Sequence, residues 1–197
     1  MAAKKTIFLS HSGRRSSEFA EYLNSILPDV FNITCWFSKF GKNLASGADL
    51  LPEIQSASQE AAMCISIIDR ENAMRPWILL EPGMFIGQGK PTLFLCCGGL
   101  THNDLYKVGH PISTRMLTDP GQKDSIERLF ETISTETYRT KNGKLSAASE
   151  KNAERDFRNA MRVQDEIIGK YREIYPAEAH DLDDLISQQK LLDDLFY

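Results

Sequence analysis

No stretch of this sequence stays apolar long enough to cross a bilayer. The longest runs, such as Thr92-Leu-Phe-Leu-Cys-Cys97, fall far short of the ~20 residues a span needs. Basic excess is missing too: 23 Lys and Arg against 27 Asp and Glu leave a net charge of −4. That excludes the broad positive field with which a protein holds nucleic acid or anionic lipid. Cysteine is scarce, and Cys35, Cys64, Cys96 and Cys97 all lie in apolar runs rather than at loop-rich spacings. A disulfide scaffold is therefore excluded, and the four read as buried free thiols of a reducing cytosol. Met1-Ala-Ala-Lys-Lys leads only into Ile7-Phe8-Leu9 before polar residues return, which predicts no secretory signal and a cytoplasmic setting.

Several familiar motifs are also lacking. No G-x-G-x-x-G follows the first strand-like run, which excludes a dinucleotide held on the first helix's N-terminus. Gly87-Gln-Gly-Lys90 lacks the phosphate-loop spacing, and Lys90 enters a strand through Pro91. No G-x-S-x-G nucleophile elbow occurs, and the first strand ends in Ser10-His11 rather than an acidic pair for magnesium. Cys96, Cys97 and His102 do not have metal-ligand spacing, since adjacent strand residues face opposite ways. Neither a metal nor a resident cofactor is expected.

What is present is a regular alternation. Thr6–Leu9, Ile33–Phe37, Met63–Ile68 and Pro91–Cys96 read as strands, with a weaker fifth at Ile112–Leu117. Between them lie helical patterns: one from Ser16 or Ser17 to Leu27, stopped by Pro28-Asp29, and one capped by Asp49 with Leu50, Ile54 and Ala57 on a face. A third starts at Pro76 and runs to about Ile86, and a fourth covers Ser125–Ile133. The order predicts an α/β fold, a parallel sheet with helices on both faces, through about residue 140. Ligands of such sheets bind at the carboxyl ends of the strands, which directs attention to Ser10–Gly13, Ser38–Gly47 and Asp69–Arg75.

From residue 141 to 197 the pattern changes to a helical extension. Ala153, Phe157, Ala160, Ile167, Tyr171 and Ile174 share one helical face up to Pro176, and Asp181 caps a second, leucine-bearing helix. The pair reads either as a hairpin packed on the main domain or as an arm for oligomerisation or a partner.

One carboxylate stands out. Trp77 and Glu81 are four residues apart on the third helix and so share a face, and Glu81 interrupts apolar neighbours. From the residues alone it reads as solvated, structurally paired or functional. The series Ile7-Phe-Leu-Ser-His-Ser12, Trp36-Phe-Ser38, Gly47-Ala-Asp49 with Ile54, Cys64–Ile68 and Pro76-Trp77-x3-Glu81 resembles a Toll/interleukin-1 receptor (TIR) domain over roughly residues 5 to 135. The resemblance implies a flavodoxin-like five-stranded sheet of order 2-1-3-4-5. It further implies cleavage of NAD+ at the nicotinamide–ribose bond, with Glu81 as the catalytic residue and NAD+ as substrate rather than cofactor. Ser10, His11 and Ser12, and the second loop from Phe37 and Ser38 onward, would then surround the dinucleotide. Trp77 would offer a face for a base to stack on, or else serve the core or an assembly contact. A stand-alone protein of the microbial antiviral type, self-associating through its TIR domains and signalling to an effector that recognises the product, follows from the same likeness. Two alternatives stay open: a non-catalytic TIR adaptor, and a nucleoside deoxyribosyltransferase whose glutamate is a covalent nucleophile.

Overall fold

The computed structural model describes residues 4–37, 50–107, 117–140 and 143–176. In chain order the elements are β1 (Thr6–Ser10), α1 (Arg14–Phe31), β2 (Thr34–Trp36), α2 (Leu50–Glu60), β3 (Met63–Ile68), α3 (Pro76–Gly87), β4 (Thr92–Cys96), α4 (His102–Lys107), β5 (Leu117–Thr118), α5 (Lys123–Tyr138), α6 (Ala147–Ala160) and α7 (Gln164–Ile174). A 3-10 turn, Met161–Val163, joins α6 to α7. The strands form a sheet of order β2-β1-β3-β4-β5, and every pairing is parallel. Four strands make up its body; β5 is a two-residue edge. The expected fifth strand began at Ile112, but residues 112–116 lie outside the described residues, as do Ser38, the Gly47–Asp49 box and the helix expected from Asp181.

Side-chain alternation explains the layers. Ile7, Leu9, Met63, Ile65, Ile67 and Leu95 point to one face, where Phe19, Leu23, Leu27 and Phe31 of α1 and Ile126, Leu129, Phe130 and Ile133 of α5 cover them. Phe8 and Cys64 point to the other, against Ile54 of α2 and Phe85 of α3. Further along that face, Ile68, Phe94 and Cys96 meet Ile78 of α3 and Leu105 of α4. β3, at the centre, is buried at all six positions, the pattern of a strand covered on both sides.

Two expectations need correction, and one short helix was not foreseen. Pro28 does not stop α1, which runs through it to Phe31. Leu27 and Phe31, both fully buried and four residues apart, hold the last turn on the sheet despite the missing N–H. The helix ends instead at Asn32, left-handed at φ 50°. The apolar series from Ala153 to Ile174 is not one helix but two, interrupted by the 3-10 turn. Lastly, α4 was not expected; the side chain of Asp104 accepts hydrogen bonds from the Thr101 amide (2.9 Å) and hydroxyl (2.8 Å), a capping exchange that nucleates the short helix.

The C-terminal helices are not peripheral. Ala160, Ile167, Ile168, Tyr171, Ile174 and Tyr175 belong to the same buried cluster as α1 and α5.

Candidate functional site

The carboxyl ends of β1 and β3 bring two serines side by side. Ser10 and Ser66 are register partners in the parallel ladder. By strand alternation they share the face of Phe8 and Cys64, beneath α3. Onto this spot α3 lowers Glu81. Pro76 supplies the first helical position, where a missing N–H is harmless. Ile78 and Phe85 anchor the helix in the two clusters of that face. Glu81, between them on the helix, is therefore turned inward and is only 1% exposed.

The Ser10 hydroxyl donates to Glu81 Oε2 at 2.6 Å. The other carboxylate oxygen, Oε1, is buried without a hydrogen-bond partner, and so is Ser66 Oγ. Burial pushes the Glu81 carboxyl up to about 7, partly opposed by the Ser10 hydrogen bond. The nearby Cys64 thiol is raised by burial and by the Glu81 charge. A carboxyl group with one oxygen held and one unpaired is set to accept a hydroxyl hydrogen bond and to face a developing positive charge.

The remaining expected residues are distributed around this centre. Trp77, one turn before Glu81, is half-buried against the Phe8, Ile54 and Phe85 cluster. His11 turns away from Glu81: its Nδ1 lies 3.0 Å from Ser17 Oγ, and its ring packs on Phe37 at 5.7 Å. Burial pushes its pKa down to about 4, so it is neutral and offers no cation to a phosphate. Its Nε2 is buried with no partner. Ser12 accepts a hydrogen bond from the Arg75 guanidinium at 3.2 Å, which ties the β1–α1 loop to the start of α3. Ser10 and Glu81 are thus in contact, Trp77 shares α3 with Glu81, and His11 with Phe37 forms a second cluster. Ser38 lies outside the described residues.

No protein-family model and no curated protein matches this chain. The site therefore stands on its own geometry.

Sequence reasoning missed Ser66, whose signal was a lone hydroxyl in the otherwise apolar run Met63–Ile68. The Asp69–Arg75 loop was expected at this edge, but not the hydrogen bonds by which it orients α3. Asp69 Oδ1 accepts from the Glu71 and Asn72 amides at 3.0 and 3.1 Å, and Asn72 reaches back to the Ile67 carbonyl at 3.1 Å. A cleft of about 500 Å³ between α5 and α6 is lined by Glu127, Glu131, Glu150 and Glu154. Its charge opposes a dinucleotide's phosphates, and it shares no residue with the Glu81 centre. Among the described residues no His, Cys, Asp and Glu side chains group as a metal-ligand set, and no helix is long and apolar enough to cross a membrane.

Proposed function

We propose that this chain is a TIR-type NAD+ glycohydrolase or ADP-ribosyl cyclase in which Glu81 is the catalytic carboxylate. The observation that carries the reading is the buried, half-satisfied Glu81 at the carboxyl edge of a parallel sheet, on the helix that also bears Trp77. The bond between nicotinamide and ribose C1′ breaks with its electron pair leaving on the nicotinamide nitrogen, which becomes neutral. No general acid is required, and positive charge builds on the ribose. Ribose hydroxyls replace the Ser10 hydroxyl on Glu81, and the carboxylate stabilises the oxocarbenium-like centre. Water then adds to C1′ and sheds a proton, giving ADP-ribose; an adenine nitrogen attacking the same centre gives a cyclic isomer. The reading carries with it a cytoplasmic setting, self-association through the TIR domains and an effector that recognises the product in antiviral defence.

The test is incubation of the purified protein with NAD+ and identification of the products by mass. Glu81→Gln keeps a hydrogen-bonding amide but loses the charge, so turnover should fall by roughly a hundred- to a thousandfold with a smaller change in KM. Cleavage undiminished in that variant would remove Glu81 from the mechanism. Absence of cleavage by the wild type, with nucleoside transfer in its place, would favour the deoxyribosyltransferase reading. Specific activity should also fall on dilution if self-association completes the site; a constant value down to the monomer removes that part.

A further inference from the structure

The C-terminal arm reaches the loop that orients the Glu81 helix. Tyr175, just past α7, donates its hydroxyl to Asp69 Oδ2 at 2.8 Å, across 106 residues of sequence. Both partners are buried, Tyr175 at 4% and Asp69 at 3% exposure. The ring is held independently of that bond. It lies 5.3 Å from the Tyr171 ring and edge-on to Phe19 at 6.5 Å. It also lies so close over Gly98 that a Cβ there would come within 3.3 Å of Tyr175 Cδ1.

From Asp69 a set of hydrogen bonds leads to the first turn of α3. Asp69 Oδ1 holds the Glu71 and Asn72 amides. The Asp69 amide donates to Asn72 Oδ1 at 3.0 Å. The Arg75 amide donates to the Asn72 carbonyl at 2.9 Å, and the Leu79 amide to the Arg75 carbonyl at 3.3 Å, which starts α3. The Arg75 side chain completes the link by donating to Ser12. Without the tyrosine hydroxyl, Asp69 Oδ2 is left buried and unpaired, and the loop regains a partner for it only by opening to water.

We propose that Tyr175 is a positioning residue for Glu81, acting through Asp69 to fix the β3–α3 loop and hence the seating of α3 over Ser10. The catalytic half of this inference rests on the reading of Glu81 given above; the structural half does not.

The test compares Tyr175→Phe with Tyr171→Phe in the full chain. Tyr171 accepts the Gly98 amide at 3.1 Å and leaves Asp69 fully bonded when its hydroxyl is removed. In Tyr175→Phe, hydrogen exchange at the Glu71 and Asn72 amides should accelerate about tenfold or more while the β1 amides keep their protection. Turnover of NAD+ should fall about tenfold with KM changed by less than about twofold, since misplacing a catalytic group acts on the chemical step. Tyr171→Phe should show neither effect. Unchanged exchange at Glu71 and Asn72 in Tyr175→Phe, or equal losses in the two variants, overturns the proposal. A wild type inert toward NAD+ removes the reading of Glu81, and the exchange pattern alone then decides whether Tyr175 positions α3. If Tyr175→Phe does not fold, Asp69→Asn, which keeps the side chain's shape, takes its place in the same exchange measurement.

Discussion

Burial holds the Glu81 carboxyl near pH 7, whereas the free side chain ionises near 4.5. Between these values the folded chain binds more protons at this position than the unfolded chain. The stability associated with Glu81 is therefore fully present below pH 4.5 and is lost as pH rises through 7. His11 works in the opposite sense. Its pKa falls from 6.5 to about 4 on folding, so its contribution is present above pH 6.5 and is lost as pH falls through 4. The two slopes offset each other in the wild type, and single substitutions should expose them. Glu81→Gln should gain about 3 kcal/mol of stability relative to wild type between pH 4.5 and 8, read from urea unfolding at several pH values; a pH-independent difference would mean that Glu81 is not desolvated. If Glu81 is the catalytic carboxylate proposed above, turnover of NAD+ should rise with pH through about 7 as the carboxylate forms. At this scale the sequence was partly legible. The four-residue spacing of Trp77 and Glu81 located the carboxylate. Its burial and its bond to Ser10 were not readable, because strand register decides which side chains meet beneath a helix, and Ser10 and Ser66 are 56 residues apart in the chain.

Elements were legible where one residue type dictates a boundary. Pro76 opens α3 because its ring fits the first turn, and Met63–Ile68 is a strand because both faces are covered. They were illegible where packing overrides a local signal. Pro28 is the clearest case: it should have ended α1, yet the buried pair Leu27 and Phe31 carries the helix past it. Pro28→Ala restores an N–H to the helix, and we expect it to stabilise the fold by about 1–2 kcal/mol, less than the full helix-interior penalty because proline also restricts the unfolded chain. A lowered denaturation midpoint would show that the ring itself packs productively. The break between α6 and α7 was hidden for a different reason. A 3-10 turn advances three residues per turn, so the apolar spacing of three and four runs through it without a visible gap.

For the whole molecule, the alternation of strands and helices was enough to yield a parallel sheet with both faces covered, since few topologies satisfy short right-handed connections. The role of the C-terminal arm was left open, because the choice between a hairpin packed on the main domain and an arm for oligomerisation or a partner depends on which surface α1 and α5 leave open. The structure shows Ala160, Ile167, Ile168, Tyr171 and Ile174 filling that surface. A chain ending at residue 140 should therefore fail to fold as a cooperative unit. Each of the larger lost side chains contributes about 1.5–3 kcal/mol when fully buried, and together they rival the ~5–15 kcal/mol by which a domain exceeds its unfolded state. Circular dichroism and a thermal melt of the truncated chain check this; a sharp transition near that of the full chain would show that the arm is dispensable.

The position of that arm also orders events during synthesis. The ribosome releases β1 to α5 before the residues that cover them, so a nascent chain carries the sheet and its serines while the apolar sides of α1 and α5 are still open. Tyr175 emerges among the last residues described, and only then does Asp69 acquire its partner. Translation itself thus sets a clock: the Tyr175 hydroxyl reaches Asp69 only after every element from β1 to α7 has been made.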